Sequence, residues 1–135
     1  GKNFSNKIWN AYRLIDGWEV DEIKDISILN ASAIKWYQSL FNQTLITVED
    51  HFNKYRISDA LMTLYKLIWD DFCSWFLEII KPSYGQSIDH GTLTAVKSIF
   101  EDNLKLLHPF MPFLTEELWH FIAARKKEDT LMISP

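Results

Sequence analysis

Asn3, Asn6, Asn10 and Arg13 recur three and four residues apart, a spacing that sets them in a row along one side of a helix. Their side chains offer amide donors and acceptors and a planar cation. These are groups that hydrogen-bond the edges of unstacked nucleobases. Lys7 flanks the row and Lys2 stands at its head, and both add charge of the sign that holds phosphate. Asparagine is a weak helix former, so three of them on an exposed face do not serve stability. The same spacing also describes the ordinary solvated face of an amphipathic helix, and spacing alone leaves that plainer alternative the commoner one. Lys54 and Arg56, at a junction between two helices, are weaker phosphate candidates that read equally well as a solvated loop.

Other chemistries find little support. His51, His90, His108 and His120 share no helix face with one another or with a carboxylate pair at ligand spacing, so no metal site is expected. Asp70-Asp71 and Glu116-Glu117 are adjacent pairs. Neighbours on a helix point about 100° apart, so they do not converge on one substrate atom. There is no glycine-rich phosphate loop and no nucleophile elbow. Cys73 lies among Phe72, Trp75 and Phe76 and reads as an inert core thiol rather than a nucleophile.

The chain has 135 residues, enough for one domain with a single core. Apolar residues make up 47%, with six Trp, five Tyr and nine Phe, which excludes a disordered tail. One cysteine excludes a disulfide framework and suits a reducing cytosol. No run of about 18 uncharged apolar residues occurs, so no membrane span is expected, and the first residues lack the apolar centre of a signal peptide. The net charge of −4 is adverse for an RNA binder, which usually carries a basic footprint. Local distribution softens the objection. Lys2, Lys7 and Arg13 precede any acid, and Asp16, Glu19, Asp21, Glu22 and Asp25 follow them.

The elements that must position these residues read as helices nearly throughout. Phe4, Ile8, Ala11, Tyr12 and Ile15 line one face of a first helix, with Gly17 as its C-terminal cap. After a polar connector over 17–24, a second helix is predicted over 26–54, with Leu29, Ala33, Tyr37, Leu40, Phe41, Thr44, Val48, Phe52 and Tyr55 inward. Ser58 caps a third helix, predicted over 59–80. It is apolar on more than one side, as suits the centre of a bundle. A loop over 83–91 leads to a fourth helix from Thr92, with Val96, Ile99, Phe100, Leu104 and Leu107 inward. Pro109 should stop that helix by biasing His108 away from helical dihedrals. Thr115 then caps a short fifth helix over 115–124, and residues 130–135 read as a short extended end. Trp36, Trp69, Trp75 and Trp119 are expected in the core, or on a surface that docks a neighbouring domain.

Three blocks carry a family resemblance. They are Gly1-Lys2-Asn3-Phe4-Ser5-Asn6-Lys7-Ile8-Trp9-Asn10-Ala11-Tyr12-Arg13, the run from Tyr55-Arg56-Ile57-Ser58-Asp59-Ala60-Leu61 through Phe72-Cys73-Ser74-Trp75-Phe76 to Lys81-Pro82, and His108-Pro109-Phe110-Met111-Pro112-Phe113-Leu114-Thr115-Glu116-Glu117-Leu118-Trp119. Together they resemble the anticodon-binding domain of class I aminoacyl-tRNA synthetases of the valine, isoleucine and leucine type. The Asn-Lys-Ile-Trp-Asn and Phe-Cys-x-Trp-Phe wordings are similar to the valine branch.

The resemblance implies an all-α, antiparallel bundle of about five helices. Residues 1–135 would be a single domain within a larger cytoplasmic synthetase. The family's catalytic motifs, His-Ile-Gly-His and Lys-Met-Ser-Lys-Ser, are absent from the chain. It therefore implies no catalytic residue and no cofactor here, with ATP and Mg belonging to the full-length enzyme. The implied partners are the tRNA(Val) anticodon stem-loop and the catalytic domain of the same polypeptide, with the fragment monomeric. The opening helix faces the anticodon in such enzymes, which carries the binding role onto Lys7, Asn10 and Arg13, then Asn6, Lys2 and Leu14. Position 14 is often Phe in valine-type relatives, so Leu14 puts base stacking there in doubt. Two alternatives stand beside this reading: the isoleucine branch, and a helical protein-interaction module without RNA binding.

Overall fold

The computed structural model describes residues 2–111 together with Thr115, Leu118 and His120. The chain runs α1 (Lys2–Asp16), β1 (Val20–Asp21), α2 (Ile28–Asn53), α3 (Ile57–Tyr65), a π-helical stretch π1 (Lys66–Phe76), α4 (Leu77–Ile80), β2 (Ile88–Asp89) and α5 (His90–Leu107). The junctions at Tyr65, Lys66, Phe76 and Leu77 all keep right-handed helical dihedrals. Residues 57–80 are thus one continuous helix with a widened middle.

Among the described residues four long helical rods pack up, down, up and down. α2 crosses the continuous helix antiparallel: Val48 clusters with Ala60 and Leu64, and Tyr37 meets Phe72 and Phe76. α5 runs antiparallel to α1, with Tyr12 stacked on Phe100 at 5.9 Å. All five inward positions read for the first helix are buried, as are all five for the fourth. The short connections and antiparallel neighbours are those of an all-α bundle. The fifth helix falls mostly outside the described residues. Thr115, Leu118 and His120 are helical; Trp119, the stretch 121–124 and the end at 130–135 lie outside.

The widened stretch has a cause in its sequence. Leu67, Phe72 and Leu77 recur at five, as do Ile68 and Cys73, and all five are buried. Five residues of α-helix overshoot a turn, so those columns would diverge. A π-helix closes its bonds at i−5 and keeps them together. The Leu77 amide accordingly donates to the Phe72 carbonyl, and the Ser74 hydroxyl donates to the Trp69 carbonyl at 3.0 Å.

Several boundaries differ from the sequence reading. The third helix starts at Ile57, and its N-cap Arg56 makes no side-chain cap, so Ser58 is not the cap. α5 starts at His90, because buried Asp89 caps it. One Asp89 oxygen accepts the Thr92 amide at 2.7 Å and the other accepts the Thr92 hydroxyl at 2.8 Å. The two connectors read as loops carry a two-residue parallel pairing, Val20 with Ile88 and Asp21 with Asp89, which ties together one end of the bundle.

Gly17 donates to the Arg13 carbonyl at 3.0 Å but is not left-handed; Gly85 is the described glycine with positive φ. α5 does end at Leu107, yet His108 keeps helical dihedrals (φ −50°, ψ −45°) before Pro109. The Thr115 amide and hydroxyl both donate to the Met111 carbonyl; the residues that a Thr115 cap would serve lie mostly outside the described ones.

Burial also departs from expectation at helix ends. Leu29, Phe52 and Tyr55, read as inward, are exposed, although Phe52 still stacks on Phe110 at 5.3 Å. Two tryptophans leave the core: Trp36 is 44% exposed and Trp75 63%. Trp69 is half-buried and packs against the core.

Candidate nucleic-acid interface

α1 presents its predicted row to solvent. Asn3, Asn6, Asn10 and Arg13 are exposed, opposite buried Phe4, Ile8, Ala11 and Ile15. The reason is local. Apolar residues at 4, 8, 11, 12 and 15 fix which side faces the core, and the polar residues have no other place to go. Lys2 heads the helix, but its side chain lies outside the described residues. Leu14 is exposed on the same flank as Lys7.

The two cations are held by indoles rather than by acids. The Lys7 ammonium lies 5.1 Å from the centroid of Trp69, and the Arg13 guanidinium lies 5.9 Å from that of Trp9. A cation over an aromatic face is restrained yet keeps its charge. Among the described residues neither forms a salt bridge with an acid. Other lysines contrast with them. Lys54 pairs with Asp50 at 3.0 Å, Lys66 with Asp71 at 3.4 Å and Lys81 with Glu78 at 2.7 Å. Lys54 is thereby demoted, whereas Arg56 is exposed at the α2–α3 corner and forms no salt bridge among the described residues.

Lys7 also faces inward chemistry. Burial pushes the Cys73 thiol up to about 11, with Lys7 pulling weakly the other way. A thiol so raised is protonated at neutral pH, so it offers no nucleophile. Among the described residues no three His, Cys, Asp or Glu side chains gather to hold a metal ion, and no helix is long and apolar enough to cross a membrane.

The structure adds Tyr65 and also Trp69, which was expected in the core or on a docking surface. Phe4, Tyr65 and Trp69 stack with ring centroids 5.0 to 6.3 Å apart and planes within 23°, directly beside Lys7. Tyr65 and Trp69 are four residues apart, one helical turn, so their adjacency was legible; their partial exposure was not.

Residues 35–135 match the family model described as the anticodon-binding domain of tRNA ligase. The chain belongs to this family. Proteins similar to it include the Valine--tRNA ligases of Christiangramia forsetii, 54% identical over 134 residues, and of Phocaeicola vulgatus, 53% identical over 133 residues. That of Parabacteroides distasonis is 49% identical over 134 residues. These alignments cover 98 to 99% of this anticodon-binding domain but 15% of each relative, so the chain spans about 15% of the length of the curated relatives it matches.

Proposed function

We propose that this domain binds the anticodon stem-loop of tRNA(Val) as the recognition module of a valine–tRNA ligase. The observation that carries this reading is the exposed face of α1. There, two cations without acidic partners among the described residues, Lys7 and Arg13, flank Asn6 and Asn10. The cations hold phosphates and fix orientation. The amide groups, with the Arg13 fork, test base edges. The relatives named Valine--tRNA ligase support the valine branch over the isoleucine branch.

Joining valine to tRNA at the expense of ATP, with Mg bound to it, belongs to the remaining part of such a ligase. In this reading the domain holds no catalytic residue and no cofactor. It works as a monomeric unit of the polypeptide in the cytoplasm, beside the catalytic domain.

The test is an exchange of anticodon bases. Stem-loops carrying the valine anticodon should bind more tightly than stem-loops altered at its last two bases. Equal affinity for both would remove the valine assignment. A helical module without RNA binding has one observation in its favour, the exposed Trp36 and Trp75; it predicts no stem-loop binding and no steep salt dependence.

A further inference from the structure

At the end of the bundle where α1 begins and α5 ends, an open cleft of about 190 Å³ lies between the helices. Phe4, Tyr65, Leu61, Met62, Phe110 and Met111 supply most of its wall. The lining is apolar and includes two thioethers, yet its rim is exposed. Tyr65 is 42% exposed and Met62 67%. Tyr65 does not stand alone. Its ring lies 5.0 Å from Phe4 and 5.3 Å from Trp69, tilted by 23° and 12°. Phe4 is buried, so this aromatic group is anchored in the core and its outermost ring is fixed before anything binds.

Charge singles out the occupant. The Lys7 ammonium stands 5.1 Å from the Trp69 ring centroid, and Trp69 is itself stacked on Tyr65 at 5.3 Å. Among the described residues no carboxylate lines the cleft, and Lys7 forms no salt bridge. A flat apolar platform beside an unneutralised cation suits a ligand that is itself flat and aromatic, with a negative charge a few ångströms away. An unpaired nucleotide has that form: a base with a π-face, joined through sugar to phosphate. An aliphatic side chain would gain the apolar wall and leave the cation unused.

Resting on the stem-loop reading above, we propose that Tyr65 is a stacking platform for one unpaired base of the bound RNA loop. In this arrangement the base enters the Tyr65 cleft and Lys7 holds the adjoining phosphate. The site extends the interface from α1 onto α3 and π1. It also supplies an aromatic surface in a chain whose position 14 is leucine.

The experiment uses the 135-residue chain with anticodon stem-loops carrying the fluorescent base 2-aminopurine at successive loop positions. At one position, binding to the wild type should quench the probe, as stacking does. Tyr65→Ala should lose that quenching and weaken binding about tenfold, the scale of one base–aromatic stack. Tyr65→Phe and Tyr65→Trp keep the ring and should keep both signals. Circular dichroism melting confirms that each variant is folded. If Tyr65→Ala binds and quenches like the wild type, no base stacks on Tyr65 and the proposal is overturned. If Tyr65→Phe loses as much as Tyr65→Ala, the hydroxyl rather than the ring makes the contact, and stacking is overturned. Absence of stem-loop binding by the wild type would instead remove the reading on which the proposal rests, and the proposal with it.

Discussion

The Tyr37 hydroxyl donates a 2.8 Å hydrogen bond to the Asn103 side-chain oxygen, joining α2 to α5 through the centre of the core. Both side chains are buried, and the Asn103 amide nitrogen has no partner among the described residues. Removing the hydroxyl strands the asparagine oxygen as well. Tyr37→Phe should therefore cost about 1–3 kcal/mol. Replacing both groups removes both desolvation problems. Tyr37→Phe with Asn103→Leu should be nearer to wild type than the two single losses summed. Urea unfolding of the four proteins measures this, and strict additivity would show that the bond does not couple the helices.

A second strain point lies at the α2–α3 corner. The Tyr55 amide donates to Phe52 and the Arg56 amide donates to His51, the paired bonds of a Schellman turn. Its left-handed position is occupied by a tyrosine at φ 60° with 90% of its surface exposed. A side chain there costs about 1–2 kcal/mol that glycine avoids. Part of that gain is offset by glycine's greater freedom in the unfolded chain. Tyr55→Gly should raise stability by about 0.5–1 kcal/mol, seen as a higher melting temperature. A fall would mean that the exposed ring makes a contact worth more than the strain.

This tyrosine also shows where sequence reading loses its grip. The helices themselves were legible, because Phe4, Ile8, Ala11, Tyr12 and Ile15, like Val96, Ile99, Phe100, Leu104 and Leu107, keep a helical period and are buried. The same period carried on to Phe52 and Tyr55 promises burial that the structure does not give. Periodicity says which way a side chain points, and another element must still lie there to cover it. The π-helical middle was written in the five-residue recurrence of Leu67, Phe72 and Leu77, which an α-helical template reads as apolarity all round. For the interface, the polar row on α1 was visible in spacing. The Lys7–Trp69 and Arg13–Trp9 contacts need either a second helix or a rotamer, which spacing does not specify.

Two buried groups make the domain sensitive to alkali. Burial raises Cys73 to about 11 and pushes Tyr37 well above 10. In the unfolded chain these groups lose their protons at lower pH than in the folded one. Between roughly pH 9 and 11 the unfolded state thus binds fewer protons, and stability falls as pH rises. Below pH 8 both states hold the protons and the effect is absent. The Cys73 share amounts to roughly 2–3 kcal/mol by pH 11. Cys73→Ala should flatten that part of the curve in denaturant titrations from pH 7 to 11. A variant with an unchanged slope would place the titration elsewhere. At pH 7.4 the native thiol should resist alkylation until the domain is unfolded.

The last prediction concerns Lys7 and Arg13, whose charges rest on indoles instead of carboxylates. If they hold phosphate, each alanine substitution removes a charge-assisted contact, a loss of about tenfold in stem-loop affinity. Each should also make the dependence of log affinity on log salt shallower by about 0.7, as expected for one single-strand phosphate contact. Folding should be nearly untouched, since exposed cation–aromatic contacts contribute about 0.5–1 kcal/mol. Lys54→Ala is the control: the lysine is paired with Asp50 at 3.0 Å, so its loss should change affinity and salt slope little. The decisive quantity is the difference between variants under one salt series. Equal slopes for the wild type, Lys7→Ala and Arg13→Ala would mean that neither cation touches phosphate, and the α1 face would lose its claim to the RNA. A slope that falls for Lys54→Ala but not for Lys7→Ala would move the interface to the α2–α3 corner, where Arg56 stands exposed.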